Sequence, residues 1–278
     1  MSRKVVDCFL FYNELDLLKF KLKELNDVVD HFVLIESKYT FVGNDKELYY
    51  EKNKDKFAEY SDKIIHVIHD NNATLKNGPR DDGLPNSWSN EKEQRFYGTK
   101  GIVQLNLADH DIIIVSDLDE IVDKNTLKKI KENGLEEPIS CLEQDMYYYN
   151  LTNRLNDKWY RSKLVRYDKI REYFDKSHDI FQTIVQPKNN PDGKHIGSYP
   201  IIKKGGWHFS FFGGVDMIKN KINNYSHTEL SHFGKESNEK INEKIKNNKD
   251  ILNKKNIKFK IINIKDNDYL PENYEMLI

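Results

Sequence analysis

Ile112-Ile113-Ile114-Val115-Ser116-Asp117-Leu118-Asp119-Glu120 is the stretch that decides how this chain is read. Four consecutive apolar β-formers predict a strand buried on both faces, as in the middle of a parallel sheet. Three carboxylates follow at once. In open α/β sheets, ligand sites lie just past the carboxyl ends of such strands. Carboxylates crowded there repel one another, and partial burial raises the cost. A divalent cation removes that penalty, and hard oxygen ligands suit Mn2+ or Mg2+. Asp117 and Asp119, two apart in an extended segment, are expected to point to one side, with Glu120 facing away to anchor the backbone or a basic partner. The plainer alternative is that the acids cap the next helix. The apolar run and Ser116 in front of them favour a metal. A metal there favours a phosphate-bearing ligand, because it neutralises charge as a sugar–phosphate bond breaks.

Outward from this strand, the chain keeps an α/β rhythm. Val5 to Phe11 reads as a buried strand, and Asn13 as a cap for a helix with Leu15, Leu18, Leu22, Leu25 and Val29 at helical spacing. His31 to Glu36 and Lys63 to His69 read as strands around a polar helix at Lys54 to Tyr60. A loop rich in Asn, Gly, Pro and Asp spans Asp70 to Ser87, and a helix from about Asn90 leads through Leu107 to the Ile-rich strand. A helix at Lys124 to Glu132 and a strand at Ile139 to Tyr149 complete a core whose alternation predicts a parallel sheet. Beyond it, Trp159 to Tyr167 and Phe181 to Gln186 alternate like antiparallel strands, and Pro187 to Gly197 is turn-rich. Pro200 to Ser210 runs into a glycine-bounded Trp-His segment. Helices are expected near Val215 to Tyr225 and Lys235 to Leu252, then a last strand at Ile257 to Ile264.

Composition narrows the function. The 278 residues suit one large domain, and Lys plus Arg (44) nearly cancels Asp plus Glu (45), leaving a net charge of -1. That balance gives no reason to expect nucleic acid or an anionic membrane as partner. No apolar run approaches the roughly 20 residues of an integral membrane segment, and no signal peptide is visible. Cys8 and Cys141 lie in strand-like runs and read as buried, reduced thiols, too few for a disulfide framework or a zinc site. A cytoplasmic location, or a catalytic domain apart from its anchor, is the expectation.

Four segments together resemble glycosyltransferase family 17: Phe11-Tyr12-Asn13-Glu14-Leu15-Asp16-Leu17-Leu18; Val33-Leu34-Ile35-Glu36-Ser37 with Thr40-Phe41-Val42-Gly43; Ser116-Asp117-Leu118-Asp119-Glu120; and Gly205-Gly206-Trp207-His208-Phe209-Ser210, followed by Lys219, Lys221 and Ser226-His227. The resemblance covers about the first 230 residues. It implies an α/β fold of the GT-A type, with a mostly parallel central sheet flanked by helices. It implies an inverting transfer of a sugar, N-acetylglucosamine from UDP-GlcNAc, to a glycan hydroxyl in β linkage. Residues 1–278 then form a single GT-A-like catalytic domain, with 1–150 as the nucleotide-sugar-binding half and 151–278 as the acceptor-binding half with C-terminal helices. The partners expected are a UDP-sugar donor and a glycan or glycoconjugate acceptor. A transferase for another UDP-hexose, or a non-catalytic nucleotide- or carbohydrate-binding module, is the alternative.

Roles follow residue by residue. In a GT-A fold Asn13, Glu14 and Glu36 sit where the nucleoside binds, although Asn13 and Glu14 also suit helix capping. Arg95 can pair with Glu91 across one helical turn or reach the donor, since a guanidinium suits ribose and diphosphate oxygens. Lys46 and Arg80 are weaker diphosphate candidates. The resemblance makes His208 a third metal or diphosphate ligand beside Asp117 and Asp119, and lets Trp207 stack on a sugar. Core packing is the competing role for both. Lys221 and His227 can neutralise the leaving diphosphate, with a solvated helix face as the alternative. Inversion needs a general base for the acceptor hydroxyl. Asp216, Asp145 and Glu143 are the candidates, with a slight lean to Asp216 because it follows the Gly-Trp segment.

Overall fold

The apolar runs become strands, and their alternation sorts them onto two faces. A computed structural model describes residues 3–176, 199–254 and 257–278. The strands β1 (Val5–Phe11), β2 (His31–Ser37), β3 (Ile64–His69) and β4 (Ile112–Asp117) lie parallel in the order β3-β2-β1-β4. From β1, Val5, Phe9 and Phe11 face α1 (Leu15–Leu25), whose Leu18, Leu22 and Leu25 are fully buried. Val6 and Cys8 face the other way, joining Val33, Ile35, Ile113 and Val115. Each such aliphatic side chain contributes about 1.5–3 kcal/mol on full burial.

The second face is covered by α4 (Ser87–Ile102), which follows two short helices, α2 (Tyr49–Asn53) and α3 (Ala73–Asn77). Gly98 and Gly101 set how closely α4 approaches the sheet. A Cβ at Gly98 would come within 2.6 Å of Cys8 Sγ, and one at Gly101 within 2.6 Å of Val33 Cγ1. The helix therefore rests on the strands with hydrogen atoms where side chains would stand. Arg95, one turn earlier, is thereby brought over the end of β4.

Past β4 the sheet turns antiparallel. β5 (Glu120–Val122) and α5 (Lys124–Asn133) lead to β6 (Ile139–Tyr148), β7 (Asn153–Trp159), β8 (Lys163–Arg166) and the short helix α6 (Tyr167–Arg171). β9 (Ile201–Ser210), α7 (Gly214–Asn224), α8 (Asn238–Lys246) and β10 (Phe259–Ile261) follow. The order across the sheet is β10-β7-β6-β8-β4-β1-β2-β3, with β9 paired antiparallel to β5 and parallel to β6. This is the α/β architecture predicted, with four neighbouring parallel strands in the N-terminal half and one further parallel pair, β6 with β9. Cys8 and Cys141 are buried and form no disulfide. Among the described residues, no helix is long and apolar enough to cross a membrane.

Several predicted boundaries move. Lys54–Tyr60 is a 3-10 helix behind the short α2. The 70–87 loop contains α3, and α4 runs over Ser87–Ile102 rather than to Leu107. The stretch 159–167 is not one strand: β7 ends at Trp159 and β8 begins at Lys163. The 235–252 helix shortens to α8, which starts where Ser237 Oγ accepts from the Lys240 N–H, after a 3-10 turn at Thr228–Lys235. The strand and turn expected at 181–197 lie outside the described residues.

Candidate active site

The turn after β4 is fixed from below and behind. Lys21, fully buried on α1, donates to Ser116 Oγ (3.0 Å) and to the carbonyls of Asp117 (3.1 Å) and Glu120 (3.1 Å), and lies 3.4 Å from Asp7. Burial pushes the Asp7 carboxyl up, against the opposing pull of Lys21. Glu120 does face away from the cavity. Its carboxylate accepts from the Asp117 N–H (3.0 Å), from Ser162 Oγ (2.6 Å) and from Trp159 Nε1. Leu118 is buried. With those groups spent on support, Asp117 and Asp119 are left facing one cavity.

Each aspartate meets a cation from a distant element. Lys221 on α7 donates to Asp119 Oδ2 at 2.6 Å, and His208 Nε2 lies 3.4 Å from the same oxygen. His208 arrives by strand register, opposite Glu120 in the β5–β9 pair. Burial alone would raise the Asp119 carboxyl, but Lys221 and His208 outweigh it and hold the group well below the usual carboxylate range. Lys221 responds in the same sense: burial opposes its charge, while Asp119 and then Glu14 hold it above its ordinary value. Arg95 donates to Asp117 Oδ1 at 2.7 Å and to Glu91 at 3.3 Å. The other Glu91 oxygen accepts from Ser226 Oγ.

The cavity holds about 340 Å³. Of the residues expected at a site, it is lined by Glu14, Lys46, Arg95, Asp117, Asp119, His208, Lys221 and His227. Asn13 directly precedes Glu14, whose carboxylate accepts the Asn13 N–H. Burial lowers the Lys46 ammonium to about 8.

The other candidates are placed elsewhere. Glu36 is fully buried and accepts from the Tyr50 N–H (2.8 Å), the Glu51 N–H (3.3 Å) and His66, so it caps α2 instead of facing a nucleoside. Trp207 belongs to the core, its Nε1 donating to the Tyr269 carbonyl at 3.1 Å. Arg80 pairs with Asp82 away from this cavity. None of the three proposed bases lines the cavity. Asp145 is buried against Arg154 and Lys158, Glu143 accepts from Tyr160 Oη, and Asp216 is exposed in the first turn of α7.

Sequence reasoning did not single out Tyr12, Trp88, Trp159 or Arg161, all of which line the cavity. Arg161 stands over the Trp159 ring at 5.7 Å and makes no ion pair among the described residues. Isolated aromatic residues read as core, and nothing local to Arg161 announces it.

The β-1,4-mannosyl-glycoprotein 4-β-N-acetylglucosaminyltransferases of Rattus norvegicus and Homo sapiens are each 31% identical over 145 residues, covering 50% of this chain and 26% of theirs. The chain thus aligns with about a quarter of the length of these relatives. Among solved structures, a 4-diphosphocytidyl-2C-methyl-D-erythritol synthase superposes over 73% of this chain and 90% of its own, at 13% identity and a TM-score of 0.39. S. aureus TarS does so over 80% and 66%, at 11% identity and 0.39. The profile of glycosyltransferase family 17 matches residues 1–274, and the chain belongs to that family.

Proposed function

We propose that this chain transfers N-acetylglucosamine from UDP-GlcNAc to a glycan hydroxyl, in β linkage with inversion, using a divalent ion. One observation carries the reading: past the end of β4, two carboxylates and three cationic or imidazole groups converge on one cavity. The names of the two relatives support the choice of sugar.

The residues present fit an ion. Asp119 Oδ2 and His208 Nε2 face each other at 3.4 Å. Neighbouring ligands at about 2.1 Å from a metal stand about 3 Å apart. Among the described residues His208 Nδ1 is buried without a hydrogen-bond partner, so the polar contact of the ring is the one its Nε2 makes toward Asp119. Among the described residues no group of three His, Cys, Asp or Glu stands ready for a metal, so Asp119 and His208, with Asp117 beside them, rely on the donor to complete the set. Bound there, Mn2+ or Mg2+ would neutralise the diphosphate. Arg95, steadied by Glu91 and Asp117, orients the phosphates through its planar guanidinium. Lys221 adds a second positive group against the departing anion. Glu14 lines the cavity and makes no ion pair among the described residues, which suits it to accept from ribose hydroxyls. A reducing, cytoplasmic setting is in keeping with two buried thiols.

Donor hydrolysis measured across a panel of nucleotide sugars with manganese tests the proposal. UDP-GlcNAc is expected to turn over fastest, and Asp119→Ala to lower the rate by about 100-fold or more. No turnover and no thermal protection with any nucleotide sugar refutes it.

A further inference from the structure

Asp119 already carries a cation of the chain's own. Lys221 Nζ sits 2.6 Å from Asp119 Oδ2, reaching it from 102 residues away in sequence. The Asp119 side chain is only 10% exposed, so water does little to balance its charge. The oxygen that holds Lys221 is also the one that faces His208, and on the metal reading above it is the oxygen that would meet a divalent ion. An ammonium and a metal ion on one carboxylate oxygen repel strongly in a partly desolvated cavity. For the ion to enter, Lys221 must leave and find another anion.

We propose that Lys221 is the resident counter-ion of Asp119, and that a nucleoside diphosphate admits the divalent ion by giving Lys221 a new anionic partner. Ion and nucleotide then bind with positive coupling. This rests on the reading of the chain as a metal-using nucleotide-sugar transferase. The charges show why. Without ligands, Lys221 and Asp119 cancel. An ion alone leaves the Lys221 ammonium unbalanced beside a second positive centre. A diphosphate alone faces the carboxylates of Asp117 and Asp119. Together the two ligands restore balance, with Lys221 moving only from carboxylate to phosphate. Linkage requires that each ligand tighten the other by the same factor.

The test is manganese binding to the full chain, followed by the electron paramagnetic resonance signal of free Mn2+, with and without UDP. Wild type, Lys221→Met and Lys221→Arg are compared, each checked for folding by its melting curve. UDP is expected to tighten manganese binding to wild type by about tenfold or more. Lys221→Met should bind manganese alone about tenfold more tightly than wild type and respond less to UDP. Lys221→Arg, which keeps the charge, should retain the coupling. Equal manganese affinity of wild type and Lys221→Met without UDP overturns the counter-ion role. So does the absence of a UDP effect on wild type, which decides the matter even if Lys221→Met does not fold. UDP binding by calorimetry with no manganese bound to any of the three proteins removes the metal as well, and failure to bind UDP removes the donor reading itself.

Discussion

Replacing Lys21 by Met takes the only ammonium out of a buried polar knot and leaves its partners behind. The side chains of Lys21 and Asp7 are both 0% exposed, and among the described residues Asp7 pairs with no other cation, so its carboxylate would stay in the core unpaired. Breaking a buried pair from one side costs about 3–5 kcal/mol, mainly because of the charge left over. The carbonyls of Asp117 and Glu120 also lose their donor, at about 1 kcal/mol each and not fully additive. We expect Lys21→Met to lose about 3–5 kcal/mol in urea unfolding followed by circular dichroism, or about 10 °C in melting temperature for a chain of this size. Asp7→Asn removes the charge while keeping the shape. The double variant should therefore recover about 1–2 kcal/mol relative to Lys21→Met. The turn carrying Asp117 and Asp119 also loses its underside, so UDP affinity should fall at temperatures where Lys21→Met is still folded. A cost below about 1 kcal/mol, or a double variant no more stable than Lys21→Met, refutes the reasoning.

Arg95→Lys keeps the charge but not the planar guanidinium, whose single Nη2 nitrogen meets both Glu91 and Asp117, and calorimetry should show UDP binding weakened about tenfold. Lys46 is depressed to about 8, so it is cationic below that pH and neutral above it. Its help to an anionic donor is accordingly present at lower pH and lost as pH rises through about 8, and Lys46→Arg should flatten UDP affinity measured from about pH 7 to about pH 9. Gly206 has φ +125°, and a Cβ there would strike the Ile121 carbonyl oxygen. Gly206→Ala should cost about 3 kcal/mol in urea unfolding, and a change under about 0.5 kcal/mol contradicts the β5–β9 packing described.

The parallel half of the fold was legible because its strands are short apolar runs separated by helix signals. The acids after Ile112–Val115 were legible for the same reason: an apolar strand that ends in carboxylates points them at a ligand or a cation. Pattern failed where register or pairing decides. Trp207 and His208 were both assigned to the site, yet neighbours in a strand face opposite ways. On β9, His208 and Ser210 line the cavity while Trp207 and Phe209 enter the core. Glu36 lies one residue before the end of β2, much as Asp117 ends β4, but Tyr50 and Glu51 return above it and claim its oxygens. Asp145 is paired across the strands by Lys158 and Arg154, which no local spacing discloses. Arg161 reaches the cavity because β8 pairs with β4, joining segments as distant in sequence as Ile112 and Arg166.

β9 is bonded along one edge to β5 and along the other to β6, so the floor that carries His208 beside Asp119 has no seam along which to open. The wall opposite is attached differently. It meets the N-terminal half through side chains, Lys221 on Asp119, Asn220 on Tyr12, and Ser226 on Ser87 and Glu91. Ile218 and Ile222 of α7 pack with Met146, Tyr148 and Phe211, so opening of the cavity at residues 214–228 works against that apolar cluster as well as these latches. Strand backbone amides at 206–209 should keep their protons through many such excursions.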